Sequence, residues 1–171
     1  NGGAIYATVK NGGATIVGNR IESNESFEGG GVKVDNMFNA TVMIARNTFR
    51  NNQAVHGAGL WLTDSDDSST PVINNLFVGN HSDAASATGG AVRARAVGTG
   101  VLHVVNNTFA HNALLLGSGA ALWIDDMHVR TAPDHHAHGP GAMTGEVNRE
   151  RWVLVVGIVP AVAAPAVAAG E

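Results

Sequence analysis

The stretch "NTFRNN", residues 47–52, has the pattern Asn-x-apolar-x-x-Asn, and the chain of 171 residues carries this pattern four times. The other copies are "NRIESN" at 19–24, "NLFVGN" at 75–80 and "NTFAHN" at 107–112. Their first asparagines follow one another in two equal steps and a slightly longer third one. A motif that returns at a nearly fixed period of roughly 30 residues predicts a solenoid with one structural unit per repeat.

A glycine motif keeps the same phase as the asparagines. It begins at a nearly constant distance before the first asparagine of each of the four hexapeptides. Its five copies are "GGAIYA" from Gly2, "GGGVKV" from Gly29, "GAGLWL" from Gly57, "GGAVRA" from Gly89 and "GAALWI" from Gly119. Two motifs that share one phase through four units indicate a true structural repeat.

The apolar residues of each unit alternate with period two, which is typical of strands and not of helices. One strand follows each glycine pair, a second precedes each hexapeptide, and a third, very short strand contains the apolar residue of the hexapeptide. Three strands and three corners per unit predict one coil of a right-handed parallel β-helix, with coils about 4.8 Å apart. The predicted fold is therefore an all-β solenoid of about four to five coils with an irregular C-terminal tail.

In-register stacking gives the repeated asparagines a structural role. Side chains at equivalent corners lie above one another, so each amide can donate to the next copy and accept from the previous one. We expect two such ladders and one internal stack of apolar side chains. The ladders comprise Asn19, Asn47, Asn75 and Asn107, and Asn24, Asn52, Asn80 and Asn112. The core stack comprises Ile21, Phe49, Phe77 and Phe109.

Both motifs stop near residue 127, which divides the chain. Residues 1–127 are predicted to be the β-helix repeat region, a fragment of a longer solenoid, because the chain begins inside a coil without a cap. Residues 128–171 are predicted to be a tail, which is disordered or loosely packed, the product of a frame or gene-boundary artefact, or a membrane anchor. The anchor hypothesis concerns the uncharged run 152–169, which includes Pro160 and Pro165.

Composition excludes several function classes. The formal net charge is −4 and the arginines are scattered, so nucleic acid is not an expected partner. The chain has no cysteine, which removes disulfides and thiolate metal sites. His103 and His111 are predicted to face outward. A second histidine group, in the tail, could chelate a transition metal but lacks a strand or helix to fix it: His135, His136 and His138.

Two lines of outward-facing residues are predicted on the strand that follows the glycines. The outer column comprises Tyr6, Lys33, Trp61, Arg93 and Trp123. The second column, two positions further along the strand, comprises Thr8, Asp35, Thr63, Arg95 and Asp125. The alternating aromatic and cationic side chains of the outer column predict either cation–π stacking between coils or, if the rings are exposed, a glycan-binding surface.

An enzyme that acts on acidic polysaccharides is the alternative function. A glycoside hydrolase needs two carboxylates about 5 to 10 Å apart. Asp35 and Asp125 share a column but are separated by three coils, roughly 14 Å, so no catalytic residues are assigned. Asp64, Asp66 and Asp67 are the candidates for a Ca²⁺ site, in what the pattern indicates to be an insertion loop. No other cofactor is expected.

The motifs also carry a family resemblance over about residues 2–125. "GGAI" at 2–5 and "GGAV" at 89–92, with "FRNN", "FVGN" and "FAHN", resemble the repeats of polymorphic outer membrane proteins and of other secreted bacterial β-helix proteins. The resemblance implies export to the cell surface or the medium, with a separate anchor domain. It further implies a role in adhesion or host contact. Because no catalytic residues are assigned, we expect a non-catalytic role in adhesion or display, with a host or cell-surface glycan or protein as partner.

Overall fold

The computed structural model describes residues 2–97, 100–125, 153–156 and 159–160. In these residues the chain winds into stacked coils of short strands. The first coil contains β1 (Ile5–Lys10), β2 (Gly13–Val17), β3 (Arg20–Glu22) and β4 (Glu25–Glu28). The second contains β5 (Val32–Met37), β6 (Thr41–Ala45), β7 (Thr48–Arg50) and β8 (Gln53–His56).

The third coil contains β9 (Leu60–Ser65), β10 (Ser69–Ile73), β11 (Leu76–Val78), β12 (His81–Ser82) and β13 (Ala87–Thr88). The fourth contains β14 (Val92–Val97), β15 (Val101–Val105), β16 (Thr108–Ala110), β17 (Ala113–Leu114) and β18 (Gly117–Ser118). The remaining described strands are β19 (Leu122–Asp125), β20 (Val153–Val156) and β21 (Val159–Pro160).

Each strand pairs in parallel with its copy in the neighbouring coil, so the described strands form four sheets along the solenoid. Sheet A has the order β1-β5-β9-β14-β19, sheet B β2-β6-β10-β15-β20 and sheet C β3-β7-β11-β16-β21. Sheet D joins β4 to β8, then β12 and β13, then β17 and β18. The predicted all-β parallel solenoid is confirmed.

Sheet D is a difference from the three strands per coil that the sequence predicts. The segment between the second asparagine and the glycine pair contributes only very short strands, such as β4, β8 and β12. Its buried side chains are small, such as Ala54 and Ala87. Because the segment lacks large alternating apolar residues, its sequence does not carry the period-two pattern that marks the other strands.

The additional residues that lengthen the third unit also lie in the sheet D segment. The register pairs Asn36 with Asp64 and Thr41 with Ser69, which is the ordinary spacing of the first two units, so the segment 63–70 contains no insertion. The extra residues are 83–86, between β12 and β13. The expectation of an insertion loop at Asp64 is therefore wrong, since acidic and serine residues at an ordinary corner imitate one.

The interior is filled by a stack of phenylalanines. The ring of Phe77 is stacked on Phe49, with centroids 4.6 Å apart, and on Phe109, with centroids 5.1 Å apart. Ile21 occupies the equivalent position in the first coil and is also buried. Inward residues of sheets A and B surround the stack, with Val34, Ile44 and Leu62 among the most buried.

Two asparagine ladders run along the corners on either side of sheet C. In the first, the side-chain amide of Asn47 donates to Oδ1 of Asn75, and that of Asn75 to Oδ1 of Asn107. Asn75 also donates to the carbonyl oxygen of Ile44, and its Oδ1 accepts the backbone N–H of Asn47. The second ladder repeats these contacts through Asn24, Asn52, Asn80 and Asn112. Asn19 begins the first ladder by donating to Asn47.

The left-handed corner residue is the one before each ladder asparagine, and not the asparagine itself. Arg46, Asn74 and Asn106 have φ of 55°, 56° and 52° immediately before the first ladder, where the first coil has Gly18. Ser23, Asn51, Gly79 and His111 have positive φ before the second ladder. The ladder position needs the amide for hydrogen bonding, so the preceding residue makes the turn. His111 is exposed and His103 lies on the outer face of β15.

The predicted tail contributes two strands to a fifth coil. Strand β20 pairs with β15 through Leu102–Val153 to Val105–Val156, and β21 pairs with β16. These two strands therefore differ from the expected irregular tail. The rest of 128–171 lies outside the described residues, so its domain assignment stays a prediction. None of the described residues belongs to a helix long and apolar enough to cross a membrane.

We expect Asn75→Asp to destabilise the protein by at least about 3 kcal/mol, because a buried carboxylate would replace an amide that donates to two oxygens. Asn74→Asp is the matched control, since Asn74 is exposed and aspartate tolerates its positive φ. Urea unfolding at pH 7 measures both variants. Equal unfolding midpoints for the two variants would contradict a stabilising role of the ladder.

Arg46→Asn should stabilise the protein by about 0.5–1 kcal/mol, because arginine is strained at positive φ while asparagine occupies the equivalent corners of two later coils. Arg50→Asn serves as the control, since Arg50 is exposed within β7. Thermal unfolding compares the two. A lower melting temperature for Arg46→Asn than for the parent protein would refute this assignment of strain.

Candidate functional site

The outer face of sheet A carries both predicted columns in register. Tyr6 pairs with Lys33, Lys33 with Trp61, Trp61 with Arg93, and Arg93 with Trp123. The second column follows the same strands, from Thr8 through Asp35, Thr63 and Arg95 to Asp125. Asp35 and Asp125 are thus three strands apart, as the repeat predicts. The side chain of Asp125 lies outside the description.

Cations and aromatic rings stack within the outer column. The guanidinium carbon of Arg93 lies 4.3 Å from the ring centroid of Trp61. The ammonium of Lys33 lies 5.5 Å from the ring of Tyr6 and 5.9 Å from that of Trp61. Cation–π contacts of this kind contribute about 0.5–1 kcal/mol each at exposed sites. The column therefore supports the packing of sheet A.

Of the two alternatives for this column, the contacts at Trp61 agree with cation–π stacking. Only 9% of the Trp61 surface is accessible, because the side chains of the neighbouring coils cover the ring. Its indole N–H donates to Thr63 Oγ1 at 3.2 Å, which ties the two columns together. Trp123 is half-buried, whereas half of the Tyr6 surface (50%) is accessible.

Hydrogen bonds fix the Tyr6 ring over the second column. The Tyr6 hydroxyl donates to Asp35 Oδ2 at 2.8 Å, and the hydroxyl of Thr8 donates to the Tyr6 oxygen at 3.2 Å. The ring is therefore held in one orientation before any ligand binds, which lowers the entropic cost of binding.

Lys33 links the columns to sheet D. Its Nζ lies 2.6 Å from Glu28 Oε2 and 4.0 Å from Asp35 Oδ2. Burial lowers the pKa of Lys33, but the hydrogen bond to Glu28 and the charges of Asp35 and Glu28 outweigh it, so the pKa is raised above its ordinary value. The ammonium is therefore charged at neutral pH and paired with two carboxylates.

These contacts bring two carboxylates together that the sequence does not pair. Glu28 Oε2 and Asp35 Oδ2 lie no more than about 6.6 Å apart, the sum of their distances to Lys33 Nζ. This upper limit does not exceed the carboxylate separations of glycoside hydrolases. The Lys33 ammonium lies close to both carboxylates.

Sequence reasoning also missed the aromatic residues at the edge of sheet D. The rings of Phe27 and His56 meet edge to face at 5.7 Å, and His56 lies 5.8 Å from the ring of Trp61. Phe27 has 64% of its surface accessible and is the most exposed aromatic residue of the described chain. The signal in the sequence that could have identified both residues is their position in the repeat, just before Gly29 and Gly57.

The structure does not bring the three Ca²⁺ candidates together. Asp66 and Asp67 are exposed at the corner after β9, whereas Asp64 is 1% accessible and points into the coil. No group of three or more metal-binding side chains occurs among the residues described. His135, His136 and His138 lie outside them.

Asp64 belongs to a buried polar cluster with Asn36, Ser68 and Thr70. Its Oδ1 accepts hydrogen bonds from Thr70 at 2.6 Å, Asn36 at 2.9 Å and Ser68 at 3.3 Å, and its Oδ2 has no partner. Burial raises the pKa of Asp64 to about 6, although the three hydrogen bonds act in the opposite direction. A buried carboxylate without a counter-ion is costly, so the protonated form is favoured at mildly acidic pH.

Comparison with known proteins agrees with the coil geometry. A family model described as a right-handed β-helix region matches residues 1–109. The chain therefore belongs to the right-handed β-helix family. No curated protein and no solved structure matches the chain.

Asp64 should make the free energy of unfolding decrease as the pH rises, and Asp64→Asn should remove this dependence. Its folded pKa of about 6 exceeds the ordinary 3.8, so its stabilising effect is complete below pH 3.8 and is lost as the pH rises through 6. The difference corresponds to about 3 kcal/mol between these limits. Urea unfolding at pH 4 and pH 7 should show this loss in the parent protein relative to Asp64→Asn.

Asp66→Asn is the control for this experiment, because Asp66 is an exposed near neighbour in the chain. Its pH profile should follow that of the parent protein. Parallel profiles for the parent and Asp64→Asn would show that the buried carboxyl does not take up the proton.

Proposed function

We propose that this protein is a non-catalytic β-helix, secreted or displayed on a bacterial cell surface, that uses the outer face of sheet A to bind a glycan in adhesion. The observation that carries the proposal is the close arrangement of aromatic, cationic and hydrogen-bonding groups on one face. The Tyr6 hydroxyl donates to Asp35, and the Lys33 ammonium lies 5.5 Å from the Tyr6 ring and 4.0 Å from Asp35 Oδ2. Exposed aromatic residues beside polar groups are typical of binding surfaces.

The chemistry of such a face fits carbohydrate. The apolar faces of sugar rings pack against aromatic side chains, which supply a large contact area at low conformational cost. Carboxylates such as Asp35 and Glu28 accept hydrogen bonds from sugar hydroxyls. Because parallel strands support every coil, these groups are held on a rigid surface.

Localisation to the cell surface rests on the resemblance to polymorphic outer membrane protein repeats, carried by "GGAI", "GGAV" and the three Phe-x-x-Asn copies. In this proposal the anchor belongs to another part of the protein or, as a weaker alternative, to 152–169. A host or cell-surface glycan is the preferred partner, and a surface protein is the alternative. Nucleic acid is not a partner, because the described face combines carboxylates with cations and has no basic patch.

A polysaccharide-cleaving enzyme is the second candidate, and the Glu28–Asp35 pair is the observation that favours it. Against it, the charged Lys33 ammonium is paired with both carboxylates. Protonation of a leaving group by either carboxyl would therefore break its ion pair with Lys33. A binding function requires no such rearrangement.

The purified protein should bind at least one class of oligosaccharide on a glycan array, and Tyr6→Ala should weaken that binding at least about tenfold, since the ring is a preorganised contact. Met43→Ala is the matched control, because Met43 is 41% accessible on the outer face of sheet B.

Equal loss in both variants, or no binding to any glycan, would refute the proposal. Depolymerisation of an acidic polysaccharide that is lost in Glu28→Gln would favour the enzyme.

A further inference from the structure

Phe38 occupies a strained position at the corner between β5 and β6. Its φ is 50°, whereas every other non-glycine residue with positive φ in the described parts of the chain is Asn, Asp, Ser, Arg or His. With Asn39, at φ 56°, it forms the only adjacent pair of such residues among those described. A bulky apolar residue is strained in this backbone conformation, whereas asparagine tolerates it.

The neighbouring coils hold this corner but do not bury the Phe38 ring. The backbone N–H of Asn11, in the first coil, donates to the Phe38 carbonyl at 2.9 Å. The N–H of Asn39 donates to the carbonyl of Asp66, in the third coil, at 3.2 Å. Phe38 nevertheless leaves 46% of its surface accessible. The corner is therefore fixed in one conformation from both sides, with an aromatic ring on its surface.

The equivalent corner of the first coil has the residue that local conformation favours. Lys10 pairs with Met37, and the residue after Lys10 is Asn11, which is exposed and has φ 49°. An asparagine at position 38 would remove both the strain and the exposed apolar surface. Neither backbone conformation nor packing therefore explains the phenylalanine. Residues held in a sparsely populated conformation are typical of ligand-binding sites.

The polar groups beside Phe38 suit a sugar. Asn39 and Asp66 are both exposed, and their backbones are hydrogen-bonded to each other. The Asn39 amide can donate and accept, and the Asp66 carboxylate can accept. Sugar hydroxyl groups can pair with both side chains while the apolar face of the sugar ring packs on an aromatic ring.

This corner continues the outer face of sheet A. Lys33, Asp35 and Met37 are the less buried residues in the alternation of β5, and Phe38 follows Met37 directly. From Asp35 to Phe38 an extended chain advances by roughly 10 Å. A glycan bound beside Asp35 would therefore reach Phe38 only with a further sugar unit.

We infer that Phe38 is a second sugar-binding position, which packs against a further unit of a glycan that lies along β5. The inference rests on the proposed function and deepens it in two ways. It makes the ligand an oligosaccharide. It also directs the glycan along the strand and not along the solenoid axis, where Lys33 and Arg93 cover the Trp61 ring.

The test compares the full-length parent chain with Phe38→Asn and Phe38→Tyr. Isothermal titration uses oligosaccharides of increasing length, built on the sugar that the glycan array identifies. Phe38→Asn should bind the longer members about tenfold more weakly and the shortest member as the parent protein does, because only the further unit loses its aromatic contact. Phe38→Tyr keeps the ring and should bind within about twofold of the parent protein. Leu76→Ala is the control, because Leu76 is exposed on the outer face of sheet C.

Stability provides an independent readout. Phe38→Asn should raise the melting temperature by about 2–4 °C, because asparagine relieves the strain at positive φ. A residue that served the packing of the corner would give the opposite sign. Phe38→Tyr retains the strain and should melt close to the parent protein.

The outcomes separate the inference from the function on which it rests. Absence of binding to every glycan would overturn both. Binding that Tyr6→Ala weakens and Phe38→Asn leaves unchanged would overturn the inference alone, as would equal affinity of the parent protein for short and long oligosaccharides. A lower melting temperature for Phe38→Asn would also overturn it. Weaker binding of the longer oligosaccharides together with a higher melting temperature is the result that supports it.

Discussion

The asparagine ladders are the interaction on which the rest of the structure depends. A solenoid of short strands has many corners, and each corner turns backbone carbonyls and amides toward a nearly dry interior. The Asn75 side chain satisfies two of these backbone groups, the carbonyl of Ile44 and the N–H of Asn47, and it also donates to Asn107 and accepts from the Asn47 side chain. These bonds form only when consecutive coils lie in register, so the ladders fix the register of every sheet.

In-register stacking then determines what each face can do. The same alignment that stacks Phe49, Phe77 and Phe109 in the core stacks Lys33, Trp61 and Arg93 outside it. Because equivalent residues recur in successive coils, a side chain within the column is covered by its neighbours in the coils above and below. Consequently, a tryptophan in the middle of the column is nearly buried although it points outward.

The buried polar cluster shows the cost of departing from the repeat. Asn36 and Asp64 occupy inward positions where the first coil has Val9, and they bond to each other instead of packing apolar side chains. Ser68 and Thr70 complete the hydrogen bonds to Oδ1 of Asp64 but not to Oδ2. The buried Asp64 carboxyl therefore binds a proton more readily than a solvated carboxyl does, because a buried polar atom without a hydrogen-bond partner is costly. The asparagine corners need donors as well as acceptors for the same reason.

The sequence by itself determined the coil, its register and the contents of the outer and second columns. Two motifs with one phase, "NTFRNN" and "GAGLWL" among their copies, identify equivalent positions, and the period-two alternation assigns inward and outward residues. Only the tertiary structure decided the fourth sheet, the hydrogen bonds around Asp64, the cover over Trp61, and the contacts of Phe27 with His56 and of Glu28 with Lys33. The physical reason is that periodicity reports which residues recur along one strand position, whereas accessibility and contacts between different sheets depend on side-chain size and on the angle at each corner.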